Sequence, residues 1–362
     1  MIMTGLRGVG KTVLLNRFAE LAELAGWESI ELEASKHDET AFRQSIFSKF
    51  RAALLHISPR RRWSERARHA AEVLSSFMLS MDQSGTFSVT WDVDPSEGYG
   101  DHGDLGLDLT DVFLAVGDVA KEKETGIVLL IDEVQFLTTV QLESLIQAVH
   151  KSVQKKLPIT FVGAGLPQIA ELAGDAKSYA ERLFQFPRID SLTPEEARQA
   201  LVGPAETENV SYDEDAVDLA VNLTHGYPYF IQELGYQAWI VANGNRITAE
   251  DISIAKEAYE AKLDGSFFRV RLDRATPLQT AYMRAMAELG SEPQKAADVA
   301  SLMKRESSQV APIRSQLIDM GLLYTPQHGY AAFTVPDFDK FMMRAVPRLE
   351  VPEIHYRRRR GK

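Results

Sequence analysis

The segment Gly5-Leu-Arg-Gly-Val-Gly-Lys11-Thr12 constrains the fold of this chain more than any other eight residues. It fits the spacing G-x-x-x-x-G-K-[ST]. A short apolar run, Ile2-Met3, precedes it, and Leu14, Leu15, Phe18 and Leu21 follow at helical spacing. The reading is strand, glycine-rich turn, helix. Glycines let backbone N–H groups close around phosphate oxygens, and the helix presents its positive N-terminal end to the same charge. The expected phosphate-binding residues are Gly5, Arg7, Gly8, Val9, Gly10, Lys11, Thr12 and Val13, with Lys11 facing the β- and γ-phosphates and Thr12 holding Mg²⁺.

Downstream, Trp27 to Leu32 reads as a second strand, and Phe42, Ile46, Phe50 and Leu54 mark a second helix. The pattern breaks between Pro59 and Leu109. That stretch holds a basic run (Arg60, Arg61, Arg62, Arg66, Arg68), a helix near Ala70 to Leu79, an alternating segment from Thr86 to Val93 and a loop rich in Gly and Asp. It reads as an insertion, residues 59–109, carrying a hairpin; its arginines either bind DNA or offset Asp94, Asp101, Asp104 and Asp108 of the same insertion. The regular pattern resumes with the apolar run Ile127 to Ile131, a helix from about Val140 to Gln154 and a strand from Ile159 to Val162. Continuous apolar runs suit strands covered on both faces, so the expected fold is α/β, a parallel sheet with helices on either side. Asp132 and Glu133 end the Ile127 run, where an open α/β sheet places its ligands. Asp132 is expected at Mg²⁺ and Glu133 at the attacking water.

After Ser191 the sequence turns helical, beginning with the helix start Thr193-Pro194-Glu195-Glu196. From Phe267 to Ala345, three helices and a hairpin around Gln327-His-Gly read as a winged helix-turn-helix. The expected domains are 1–190, the nucleotide-binding domain; 191–264, a helical lid; 265–346, the winged helix; and 347–362, a basic tail. Ser307, Ser308, Gln309, Arg314 and Gln316, on or beside the third helix, are residue types that reach phosphates and base edges, so duplex DNA is a candidate partner. The module carries only a small positive excess, modest for that task. Wing packing on a protein is the alternative.

Composition narrows the remaining classes. The chain has 362 residues, enough for two or three domains, and no cysteine, which excludes disulfides, thiolate metal sites and cysteine nucleophiles. No apolar run of membrane-spanning length is present, so no membrane partner and a cytoplasmic location are expected. A net charge of −11 argues against a surface built wholly for nucleic acid, and the run Arg357 to Arg360 reads as a solvated tail. His102 lacks an H-x-x-H or H-E-x-x-H partner, and no zinc site is expected.

Taken together, the glycine-rich turn with Lys11-Thr12, Leu129-Leu-Ile-Asp-Glu-Val-Gln135, Phe161-Val-Gly-Ala-Gly-Leu-Pro167, Tyr179-Ala-Glu-Arg182-Leu-Phe and Gly226-Tyr-Pro228, followed by a winged helix, resemble the AAA+ ATPases of the origin-recognition and signalling (STAND) branches. The likeness covers nearly the whole chain and extends to a widespread group of bacterial ATP-binding proteins with this domain order. It implies ATP or ADP with Mg²⁺ as ligands. It implies that Arg182 is an arginine finger reaching a neighbouring subunit's γ-phosphate, making Glu133, Lys11 and Arg182 the catalytic set. Gly226 and Pro228 are implied to belong to a lid motif at the adenine. The chain departs from the pattern in three places: Gly163 to Gly165 lack a polar sensor, Tyr229 replaces the lid arginine, and only four residues precede the loop. The first two imply slow hydrolysis. The third implies a start further upstream or looser base recognition. A nucleotide-driven switch or assembly factor is the expected role; the alternatives are an origin-recognition-like DNA-binding ATPase and a regulatory subunit of a protein complex or homo-oligomer.

Overall fold

The computed structural model describes residues 1–34, 39–79, 93–177 and 180–352. They form two compact units: Met1–Gly5 with Lys11–Ile189, and Leu6–Gly10 with Asp190 onward.

In the first unit, the elements are β1 (Ile2–Thr4), α1 (Lys11–Leu24), β2 (Glu28–Glu33), α2 (Glu39–Ile57), α3 (Glu65–Leu79), α4 (Leu105–Glu122), β3 (Ile127–Asp132), α5 (Thr139–Gln154), β4 (Ile159–Gly165), α6 (Ile169–Ala176) and α7 (Ala180–Leu183). The four strands lie in the order β1-β4-β3-β2, every neighbouring pair parallel, with Ile2 opposite Gly163, Ile127 opposite Ile159 and Glu28 opposite Ile127. Residues 185–189 run along β1: Ile2 N–H donates to Gln185 O, Thr4 N–H to Pro187 O and Ile189 N–H to Thr4 O, all within 2.8 Å.

Strand periodicity sorts the side chains. Ile127, Leu129 and Ile131 share a core with α2, α3, α4 and α5, whereas Val128 and Leu130 join Met3 and Val162 against Leu15 and Ala19 of α1. Two covered faces explain why these strands read as unbroken apolar runs.

Within the stretch read as an insertion, α3 stands where a helix near Ala70 to Leu79 was expected. Ala67, Ala70, Ala71, Leu74 and Phe77 of α3 recur at helical spacing and are fully buried in the main core, so α3 is structural rather than peripheral. The arginines of the basic run lie in front of α3 and on its first turn. Asp108 does not offset them: it is fully buried on α4 and pairs with Arg43 of α2 at 2.9 Å, while Arg66 faces Glu122. The expected hairpin lies outside the described residues except for Val93, and the tail Arg357 to Arg360 lies wholly outside them.

The second unit holds α8 (Pro194–Thr207), β5 (Ser211–Tyr212), α9 (Glu214–Thr224), α10 (Pro228–Val241), β6 (Arg246–Ile247), α11 (Ala249–Lys262), a π-helical turn Leu263–Phe268, α12 (Arg269–Leu272), α13 (Pro277–Leu289), β7 (Gln294–Lys295), α14 (Ala296–Leu302), α15 (Ser307–Asp319), β8 (Leu323–Tyr324), β9 (Tyr330–Phe333) and α16 (Phe338–Ala345). Thr193 and Glu196 close a capping box at α8, as their spacing predicts. Helices α13, α14 and α15 with the antiparallel sheet β7-β9-β8 have the winged helix-turn-helix arrangement.

Candidate functional site

The first unit gathers the charged residues of the two motifs. Lys11 opens α1, is 8% exposed, and its Nζ donates to Gly5 O at 2.9 Å. Gly5 N–H in turn donates to Gly165 O at the end of β4. Thr12 Oγ1 donates to Asp132 Oδ2 at 2.5 Å, bringing together residues from α1 and β3 that are 120 positions apart. Asp132 Oδ1 accepts the Glu133 N–H at 2.7 Å. Glu133 adopts φ +53°, a left-handed conformation uncommon outside glycine, which turns the chain sharply off β3. Val13 is 70% exposed on α1, and Arg182 is exposed on α7.

Gln135 is a residue the sequence reading passed over. Its Nε2 donates to Glu133 Oε2, and its Oε1 accepts the Leu166 N–H at 3.0 Å. A Cβ on Gly165 would lie 2.8 Å from that Oε1. The glycine at the end of β4 therefore makes room for a polar side chain arriving from the turn after β3.

In the second unit, Gly8 and Gly10 take φ +88° and +92°, the left-handed region that glycine supplies without steric cost. Val9 is buried between them. Arg7 N–H donates to Thr334 O at 3.2 Å, and Tyr229 N–H donates to Gly8 O at the same distance. Gly226 has φ +69°, and a Cβ there would come within 2.3 Å of Leu192 O. Pro228 occupies the first turn of α10. The Gly226-Tyr-Pro228 motif thus has a backbone reason of its own: the strand of chain at Leu192 crosses directly over it, and Leu192 N–H donates to Gly226 O at 2.8 Å.

The AAA ATPase domain family matches residues 1–162, and a domain of unknown function matches residues 265–342. The likeness to an AAA ATPase domain thus covers residues 1–162, the part of the chain that carries both motifs. In structure the chain is similar to the Walker-type ATPase PabY2304 of Pyrococcus abyssi, with a TM-score of 0.56 at 16% identity over 94% of this chain and 90% of that one. It is more loosely similar to the Orc1 protein of Aeropyrum pernix, solved in complex with DNA, with a TM-score of 0.44 at 16% identity over 96% and 86% of the two chains. At these identities the likeness is one of fold. No curated protein matches the sequence.

Several of the polar groups expected to reach DNA have partners within the three helices and sheet of residues 277–333. Gln309 Oε1 accepts the Glu306 N–H in a capping box, Arg314 donates to Thr325 Oγ1, and Gln316 Oε1 accepts from Gln279 Nε2 at 3.0 Å. A carboxylate, Glu306, caps the N-terminus of α15, the end that would otherwise attract a phosphate. His102 faces Asp111 Oδ2 at 2.9 Å. Among the described residues no helix is long and apolar enough to cross a membrane.

Proposed function

We propose that this chain binds Mg-ATP at the loop Gly5–Thr12, hydrolyses it slowly and acts as a nucleotide-driven switch or assembly factor. The observation that carries the reading is the 2.5 Å approach of Thr12 Oγ1 to Asp132 Oδ2. A hydroxyl and a carboxylate oxygen meeting beside the phosphate loop form the hard-oxygen donor set that suits Mg²⁺. When bound, Mg²⁺ neutralises charge on the phosphate oxygens. Lys11 exchanges the Gly5 carbonyl for phosphate oxygens, and the glycines leave the loop amides free to donate. Glu133, steadied by Gln135, orients and polarises the attacking water. Phosphoryl transfer asks for positioning more than covalent chemistry, and an acid already engaged by an amide suits slow turnover. Arg182, exposed on α7, is free to serve a neighbouring copy.

A switch needs two states with different affinity for the nucleotide, since only that difference moves the equilibrium. Glu133→Gln should retain ATP binding and lose turnover, read by single-turnover hydrolysis; unaltered turnover removes Glu133 from the chemistry. Duplex DNA as a ligand is the weaker reading, given the internal partners of Gln309, Arg314 and Gln316. A protein partner agrees better with α10, where Tyr236, Trp239 and Ile240 are 61%, 45% and 60% exposed.

A further inference from the structure

In the second unit, α8, β5 and α10 enclose a cavity of about 390 Å³. Pro204, Ala205 and Glu208 at the end of α8, Tyr212 of β5, and Tyr236 and Trp239 of α10 line it. That volume is within the range of clefts that seat a small ligand. The face of an aromatic ring carries negative charge density, and three rings beside a carboxylate add to one another. Neither lysine nor arginine is among the described residues that line the cavity. The lining therefore favours a cation.

Charge around the groove points the same way. Helix α8 has no basic residue in its last turn; it carries Glu206 there and Glu208 at its cap. A helix C-terminus is already the negative end of the dipole, so acids placed on it are unfavourable until a cation joins them. Residues 191–262 hold thirteen Asp and Glu against four Lys and Arg. Of those four, Arg198 already pairs with Glu214 and Asp218, and Arg246 with Asp213. The stretch keeps a negative field that attracts a basic partner. Tyr236 and Trp239 stand 61% and 45% exposed within it. The complementary group is apolar along its stem and positive at its tip. Arginine meets both demands: its stem packs on apolar surface, its planar guanidinium stacks on rings, and its fork pairs with a carboxylate.

We propose that this groove seats an arginine side chain from a basic segment of a partner protein, with the guanidinium between the aromatic rings and the Glu208 carboxylate. The proposal rests on the reading of α10 as a face for a protein partner and supplies that partner's chemistry. Lysine, a compact and strongly hydrated point charge, fits the rings less well.

The test is fluorescence anisotropy on the full chain with a dye-labelled, alanine-based peptide carrying several arginines, and with its counterpart in which each arginine is citrulline, the uncharged isostere. The arginine peptide should bind saturably at one site, and the citrulline peptide at least about tenfold more weakly. Trp239→Ala puts the best helix former at a half-exposed position and should weaken the arginine peptide about tenfold. Glu208→Gln should weaken it about threefold. Glu250→Gln, the same loss of charge on α11 and outside the lining, should leave affinity unchanged. Equal losses in Glu208→Gln and Glu250→Gln would reduce the binding to net charge and overturn the proposal, as would no saturable binding. A citrulline peptide that binds as tightly as the arginine one, and is lost in Trp239→Ala, would keep α10 as a protein-binding face yet overturn the arginine. Binding of the arginine peptide untouched by Trp239→Ala would overturn the proposal together with that reading of α10. Displacement of the probe by spermidine at lower concentration than by unlabelled peptide would seat a small polyamine instead, and binding that emerges only after Arg357 to Arg360 are changed to serine would seat the chain's own tail; either overturns the partner protein.

Discussion

His102 and Asp111 show how a single pair sets a pH dependence. The hydrogen bond to Asp111 holds the imidazole pKa above its usual value; burial opposes it, and the charges of Asp111, Asp108 and Asp101 each add smaller support. A pKa raised on folding stabilises the fold fully below the unfolded value, about 6.5, and the effect is lost as pH rises through the higher folded value. His102→Asn should therefore lower the urea midpoint slightly near pH 6 and hardly at all near pH 8.5; an equal loss at both would show that the pair is not charged. At this scale legibility depended on spacing. Lys11, Thr12, Asp132 and Glu133 were readable because their chemistry needs those types at fixed offsets from glycines and a strand end. The contact of Gln135 with Glu133 was not, because a glutamine two residues past a carboxylate has many ordinary uses. Gly226 was read for its ligand, yet the approach of Leu192 already demands a glycine.

Between elements, buried polar contacts fix how helices and strands meet. Arg43 on α2 is 2% exposed, pairs with the fully buried Asp108 of α4 and lies over the Phe77 ring of α3 at 4.8 Å. Arg43→Met leaves Asp108 with the His102 N–H but no counter-charge, and should cost about 3–5 kcal/mol in urea unfolding. Adding Asp108→Leu should return part of that loss; a single-variant cost below about 1 kcal/mol would contradict the role given to the pair. The contact between the turn after β3 and the end of β4 carries a kinetic prediction. Gly165→Ala places a methyl group against Gln135 Oε1, releases Glu133, and should slow ATP turnover by roughly ten- to a hundredfold with nucleotide affinity nearly unchanged. Equal turnover in that variant would leave Gln135 without a part in catalysis. The strands were legible because both sheet faces are covered, which makes them continuous apolar runs. Helix α3 was read near Ala70 to Leu79; the structure extends it back to Glu65, and Ala67, Ala70, Leu74 and Phe77 keep the core period.

Across the whole molecule, motif order and composition carried the α/β fold, the helical stretch and the winged helix. What they did not carry is the company of the phosphate loop: Leu6–Gly10 group with the residues from Asp190 onward, while Gly5 and Lys11 group with the sheet. Eight consecutive residues read as one motif therefore answer to two bodies of the chain, a long-range property that no local pattern encodes. The account stands on nucleotide binding at Lys11, and the most direct measurement is calorimetric titration of Mg-ATP into the full chain and into Lys11→Ala. One site per chain is predicted in the parent, weakened by about tenfold or more in the variant, since a charge-assisted contact to phosphate is lost. Equal affinity in the two proteins, or no heat of binding in the parent, would contradict it.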